Sequence, residues 1–466
     1  MTHGSALALG TPGSRHFSGG PPSVAAFTSP WSPPVVLTRP HGGGWLAARR
    51  GGCGGARAGG GGAQAARGGV RPTMTDVPRV PATSFPLPVP LLPHLSTHRI
   101  LCVGAAGLDF TAVVDTFPAA DAKVRSSRSS ASGGGNAANT AVAARRLGVQ
   151  SAIVALVGRD AAGGSIRQGL ASEGVDTSPL VVAADPCVTS PFTYILVDAS
   201  AGTRTCIHSP AAVELTPADV PPPAELLAGV SLLHVDGRQP DVAVPLAAAA
   251  VAAGIPVLMD AEKVRPGTAE LLPLVDYIVC NATFPRLYAP HCLGTQAAMA
   301  DLLRTGATRA AWVISTDGAA GATMLRRAPP VEGAPRMYAP EGVAVVVTHT
   351  TFPPPSECVS CEEGEVMDVV ACPAWLPTTG KVVDTTGAGD AYIGAVAVGL
   401  VAGAPVEALM AFGAVVGGKA VGGLGARGGG SRWDEPLPPD GCTLADGEVP
   451  RPSLADTFLS RAPAYP

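Results

Sequence analysis

From residue 100 onward the chain repeats one pattern: a short apolar run closes on Gly, Asp or Asn, and a helix-like stretch follows. Residues 100–103, 152–157, 230–235, 256–259, 277–279 and 311–314 fit buried strands. Helical stretches such as 137–147 and 246–253 lie between them, so the alternation predicts parallel βαβ units. Ligands of such sheets gather beyond the carboxyl ends of the strands, which singles out Gly107, Asp109, Asp236, Asp260, Asn281, Thr316 and Gly318.

Three segments, 111–124, 191–197 and 203–208, alternate with period two and predict half-exposed strands of a small second sheet. They read as a lid with segments at about 111–124 and 187–208. Residues 328–375, rich in Pro, Thr and Glu, show no steady period and read as a long insertion or loop. The main domain is expected over 99–430, followed by an irregular tail at 431–466.

The first 75 residues hold no Asp, Glu or Lys, yet carry Arg15, Arg39, Arg49, Arg50, Arg57, Arg67 and Arg71 among Gly, Ala, Ser and Pro. This bias matches an organellar transit peptide and predicts a chloroplast or other plastid location. The alternative is a low-complexity tail upstream of a start at Met74, which leaves a cytoplasmic protein. Residues 76–98, rich in Pro, read as a linker.

Composition narrows the partners. Hydrophobic residues make up 46% of the chain, charged residues 15% and aromatics 5%, so the core is to be built from Ala, Val and Leu. A formal net charge of -4 supplies no basic surface for nucleic acid or an anionic membrane. No apolar run approaches the roughly 20 residues of a membrane helix. Most of the ten cysteines sit in apolar stretches, as buried thiols do. Cys358 and Cys361 form a CxxC without the second pair that a structural zinc needs.

The strongest chemical signal is Asp384-Thr-Thr386-Gly387-Ala388-Gly389-Asp390, where a strand-like lead-in turns into a helix of small residues. Glycines at 387 and 389 let backbone N–H groups converge at the positive end of that helix, which makes an anion hole suited to phosphate. Asp390 in the first turn fits a plain helix cap, and it also fits a base that takes a proton from an attacking hydroxyl. The second signal is Gly133-Gly134-Gly135-Asn136-Ala-Ala-Asn139. Its asparagines lie three apart on one helix face and can donate and accept, as hydroxyl-rich ligands require; a flexible loop and a capped helix fit it equally.

Three other matches are set aside. Residues 413–420 nearly spell a phosphate-binding P-loop, but alanine replaces the magnesium-binding hydroxyl and the stretch lies in a helical run. Residues 423–428 match GxGxxG in letters, but no helix follows. Gly387-Ala-Gly389 continues to Tyr392 where a dinucleotide fingerprint needs glycine.

The 384–390 segment resembles the C-terminal signature of the PfkB family, and residues 134–139 resemble its N-terminal one, in the family's order. The resemblance runs from about residue 100 to 426. It implies a three-layer α/β/α ribokinase-like (Rossmann-like) domain, with a mostly parallel central sheet and a small β lid. The activity implied is transfer of the γ-phosphoryl group of Mg-ATP to a hydroxyl of a small sugar. Asp109, Gly134, Gly135, Asn136 and Asn139 are then expected at the sugar, Asp236 near the same pocket, and Arg204 near the transferring phosphate. Asn281, Thr316, Gly318 and Gly321 match positions around ATP; Gly387, Ala388 and Gly389 match the anion hole and Asp390 the base. Asp384 and Thr386 match positions associated with a monovalent cation, K+ in particular. Family lids often pair across a homodimer.

His234-Val-Asp236-Gly-Arg238, Gly202-Thr-Arg204-Thr and residues 412–419 are similar to ketohexokinase-like members and favour a ketohexose or pentose-like acceptor. Two departures stand out. Phe284 occupies the place of a family acid associated with magnesium, and Gly107 that of a sugar-binding asparagine of ribokinase. The same chemistry on a nucleoside or polyol, and a catalytically silent sugar-binding protein of the same fold, are the alternatives.

Overall fold

The apolar runs become strands in the predicted order in the computed structural model, which describes residues 92–201, 203–327, 337–338, 345–352, 365–375 and 382–430. The strands of the first half are β1 (Arg99–Val103), β2 (Gly107–Val114), β3 (Arg128–Gly134), β4 (Gln150–Val154), β5 (Leu156–Val157), β6 (Val181–Val182), β7 (Phe192–Asp198) and β8 (Thr203–Ser209). Those of the second half are β9 (Leu232–Val235), β10 (Val257–Ala261), β11 (Tyr277–Asn281), β12 (Trp312–Thr316), β13 (Ala322–Arg327), β14 (Met337–Tyr338), β15 (Val345–Phe352) and β16 (Glu365–Cys372). The central sheet runs β14-β15-β16-β13-β12-β11-β10-β9-β1-β4, and β4 through β12 in that row pair in parallel. From β12 to β14 the pairing is antiparallel.

Helices cover both faces. α1 (Asn136–Arg146) packs on one of them; α2 (Ala161–Ser172), α3 (Pro223–Leu226), α4 (Pro240–Ala252), α5 (Thr268–Leu271), α6 (Phe284–Tyr288) and α7 (Thr295–Asp301) follow in the chain, and α8 (Ala388–Val401) and α9 (Val406–Ala420) lie with α1. One core joins α1, α8 and α9 to the sheet, and another joins α4 and α7 to its opposite face. That is a three-layer α/β/α domain, as the resemblance implies. α8 is buried almost continuously from Ala391 to Gly399, as its all-apolar sequence requires. A Cβ on Gly394 would lie 2.5 Å from Ala143 Cβ, so glycine lets α8 close onto α1. Among the described residues, no helix is long and apolar enough to cross a membrane.

The lid is a four-stranded sheet in the order β3-β2-β7-β8, with β2 and β7 parallel. It differs from expectation at both ends. The alternation read over 111–124 ends as a strand at Val114, where the chain leaves through turns; β3 lies in a stretch with no large apolar residue and so carries no hydrophobic period. Backbone pairing with β2, from Gly107↔Gly134 to Val113↔Arg128, makes that strand. The 152–157 run splits into β4 and β5.

The 328–375 insertion is corrected as well: β15 and β16 extend the central sheet, with Val346 opposite Ala371 and Phe352 opposite Glu365. Val347 and Val370 enter one core and Phe352 and Met367 the other, so the strand pair is part of the main domain. The linker expected over 76–98 gives way to a 3-10 turn at Leu92–Thr97, with Leu95 buried in the core. Cys102 and Cys280 are buried, whereas Cys187 and Cys206 are exposed. The transit-peptide segment 1–75, the tail 431–466 and Cys358 and Cys361 lie outside the described residues.

Candidate active site

The turn at 384–390 is fastened by Asp384. Its Oδ1 accepts from Thr386 N at 2.9 Å and Thr386 Oγ1 at 2.7 Å, while Oδ2 accepts from Gly425 N at 2.8 Å. Both oxygens of a buried carboxylate are therefore engaged in tying the turn to the segment after α9. Gly387 stands at the N-cap of α8 with φ 75°, where a side chain is strained, and no side chain caps the helix. A Cβ there would also lie 2.6 Å from Ala426 Cα. The open N–H groups of this first turn form the positive end of a buried helix.

Asp390, in the first turn of α8, is held by α1. Asn139 Nδ2 donates to Asp390 Oδ2 at 2.8 Å, and Asn136 Nδ2, one turn earlier, donates to Asp260 Oδ2 at 2.9 Å. Burial pushes Asp390 up to about 7, opposed by the Asn139 hydrogen bond and reinforced by the charges of Asp236 and Asp109. A partly exposed edge of the residue faces the cavity below, while protein surrounds the rest. Burial likewise raises Asp260 well above the usual carboxylate range, with Asp390 adding to the effect.

Arg427 completes the arrangement, and it falls just past the segment that the motifs delimit. Its Nε donates to Asn139 Oδ1 at 2.9 Å and its Nη2 to Gly134 O at 3.4 Å. Its own carbonyl accepts from Arg146 Nη1 at 2.7 Å, and Arg146 pairs with Glu173 at 2.5 Å. Burial lowers Arg427 to about 10, while the charges of Glu173, Asp109 and Asp390 act in the opposite direction. The one sequence signal for it is a position inside the GxGxxG-like run 423–428; no helix follows that run, but it delivers this guanidinium.

A cavity of about 490 Å³ opens between the lid and the carboxyl ends of the central strands. Asp109, Gly135, Asn136, Asn139, Arg204, Thr386, Gly387 and Asp390 line it, together with Gly107 and Thr193. Burial raises Asp109, against a hydrogen bond from Thr193 and the charge of Arg427. Gly134 is behind the wall: a Cβ on it would fall 2.4 Å from the Asp109 carboxylate.

Asp236, expected near the pocket, is not among the lining residues. Its Oδ2 accepts from Ala105 N at 2.7 Å and Ala137 N at 3.3 Å, and its Oδ1 from Arg238 N at 3.0 Å. It clamps the end of β1, the start of α1 and the loop after β9. A strand-end acid can face the cavity or the backbone beneath it, and three converging N–H groups hold Asp236 in the second position.

A second cavity of about 430 Å³ lies on the other side of the 384–390 turn. Thr316, Gly318, Gly321, Thr385, Ala388 and Gly389 line it, with apolar walls from Trp375, Val382, Tyr392 and Val421. Arg204 reaches both cavities from the lid and hydrogen-bonds Thr385 Oγ1. Asn281 does not line this space. Its Oδ1 accepts from Thr283 N, Thr283 Oγ1 and Phe284 N, and its Nδ2 donates to Glu262 O, so the side chain shapes the start of α6. The near P-loop at 413–420 is helix, within α9.

The profile of the pfkB family of carbohydrate kinases matches residues 97–346 and 358–432. The chain belongs to that family. Solved structures share the fold: a ribokinase from Giardia lamblia (TM-score 0.55, 18% identity, 72% of this chain and 96% of that one) and a ribokinase from Cryptococcus neoformans var. grubii in complex with ADP (0.53, 21%, 71% and 95%). Among characterised proteins, an ATP-dependent ribose-1-phosphate kinase of Halopiger xanaduensis is 32% identical over 165 residues, 35% of this chain and 53% of that protein. A nucleoside kinase of Methanothermobacter thermautotrophicus is 31% identical over 99 residues, 21% of this chain and 31% of that protein. The chain thus spans about half the length of one relative and a third of the other.

Proposed function

We propose that the protein is an ATP-dependent kinase that phosphorylates a hydroxyl of a small sugar. One observation carries this reading: Asp390 opens on the lid-side cavity, while Ala388 and Gly389 of the same helix start line the cavity behind it. A hydroxyl in the first cavity and the terminal phosphate of a nucleotide in the second would meet at that turn. Asp390 accepts the hydroxyl proton, the acceptor oxygen bonds to the γ-phosphorus, and the bond to the ADP oxygen breaks. The N–H groups of 387–389 and the Arg204 guanidinium balance the charge on the moving phosphoryl group. ATP as donor also accords with the names of the kinase relatives and with the ADP-bound fold neighbour.

Metal handling departs from the simplest expectation. Phe284, in the place of the family acid, is fully buried, and among the described residues no acid lines the nucleotide-side cavity. Direct carboxylate ligation of magnesium does not fit this cavity. Asp384 and Thr386, matched to a monovalent-cation site, are committed to the turn.

A ketohexose or pentose-like acceptor rests on the residues 234–238, 202–205 and 412–419, and a nucleoside or polyol would use the same chemistry. The lid carries exposed Phe110, Tyr194 and Ile207, which supports a homodimer through it. The acid-free, Arg-rich N-terminus supports a plastid location, tested by N-terminal sequencing of the mature protein: a start at Met1 rules out the cleaved peptide. An ADP-release screen of pentoses, ketohexoses, nucleosides and inositols, with and without potassium, tests the activity. Turnover of one acceptor class is expected. Silence across the panel leaves a binding protein.

A further inference from the structure

The lid-side cavity is lined unevenly. Asp109 and Asp390 stand at its inner end, and Arg238, Lys263 and Arg265 stand where the loops after β9 and β10 form its wall. One carboxylate, Glu262, lies among the three cations, and Glu214 is exposed at the rim. Arg265 makes one side-chain hydrogen bond, Nη2 to Glu262 Oε2 at 2.8 Å, and its Nε has no partner among the described residues. Arg238 comes no nearer than 4.0 Å to the same oxygen of Glu262, although only about a quarter of its side chain is exposed (26%). Single carboxylates commonly satisfy single arginines through two bonds; here one carboxylate is spread over a surplus of positive charge. His208, on lid strand β8 and lining the same cavity, is pushed down by burial and then by the charges of Arg238 and Arg265.

These cations do not line the cavity behind the turn, which the proposed function assigns to the nucleotide. The phosphate-facing arginine is Arg204, which reaches both cavities, whereas Arg238, Lys263 and Arg265 line the lid-side cavity and not the one behind the turn. A neutral sugar would leave Glu262 as the one carboxylate among three cations, two of them, Arg238 and Arg265, part-buried.

We propose that the acceptor is a sugar that already carries an anionic group, a phosphate or a carboxylate, seated against Arg238, Lys263 and Arg265 with its reactive hydroxyl toward Asp390. The proposal rests on the kinase reading above and narrows its substrate class. Recognition of the anion fixes the sugar's orientation, because Asp109 and Asp390 offer an anionic group no counter-charge in the reverse pose.

The test is steady-state ADP release by the full chain with matched acceptors: fructose against fructose 1-phosphate and fructose 6-phosphate, and ribose against ribose 1-phosphate and ribonate. At least one charged member should exceed its neutral partner by at least about tenfold in kcat/KM, the scale of one charge-assisted hydrogen bond. The phosphate and carboxylate arms tell which anion is taken. The charged-to-neutral ratio should collapse toward one in Arg238→Gln and in Arg265→Gln. Equal or better turnover of the neutral sugars overturns the anionic acceptor and leaves the kinase reading standing. A charged preference that survives both substitutions overturns the assignment to this wall. No ADP from any acceptor overturns the kinase reading, and the inference with it.

Discussion

Asn139 divides its amide between two charged residues: Nδ2 donates to Asp390 Oδ2 at 2.8 Å, and Oδ1 accepts from Arg427 Nε at 2.9 Å. Because a guanidinium can only donate, Arg427 fixes which end of the amide faces Asp390. Arg427 is thus a positioning residue for the proposed base. Arg427→Ala should lower kcat by about 10-fold to 100-fold, as small displacements of a catalytic group do, with a smaller effect on the KM for ATP. Steady-state kinetics measure the split, and a pure rise in KM would contradict the role.

A base must be ionised before it can take a proton. With Asp390 raised to about 7, kcat/KM should climb with pH and level off above about 7. The same shift has a stability consequence. The folded state keeps a proton on Asp390 that the unfolded chain releases near 4, so ionisation works against folding as pH rises from about 4 to about 7. Asp390→Asn lacks that penalty, and its gain in melting temperature over the wild type should grow across this window. A constant difference would contradict the buried, raised carboxylate.

Asp384 should be structural first. Asp384→Ala leaves the Thr386 and Gly425 amides without their acceptor, and denaturant unfolding should report a loss of about 1–3 kcal/mol. Unaltered stability would show that the turn is held by other means.

Asp236 is predicted to act through the fold as well. Asp236→Asn puts an amide where three N–H groups converge and should cost about 1–3 kcal/mol in unfolding free energy. Unchanged stability together with a raised acceptor KM would restore Asp236 as a sugar contact.

The two motifs were legible because each is local: the glycines, the asparagines at i and i+3 and the acid at a helix start bear their function within a few residues. What joins them was not. Arg427 meets Asn139 across 288 positions, and no local pattern distinguishes an arginine in a glycine-rich turn that reaches a buried amide from one that points to water. Asp109 and Asp236 were both singled out as strand-end acids, yet Asp109 lies within β2 and faces the cavity, whereas Asp236 follows β9 and faces a cluster of backbone amides where β1 approaches α1. Strand β3 escaped notice because small polar residues carry no alternation, and its pairing comes wholly from β2. Strands β15 and β16 were hidden by the Pro- and Glu-rich composition between them.

The most direct test of the central claim separates chemistry from binding in Asp390→Asn. With an acceptor identified by ADP release, calorimetry should find acceptor affinity largely retained, while kcat falls by at least about 100-fold, as loss of a general base requires. Near-normal turnover in that variant would contradict the account.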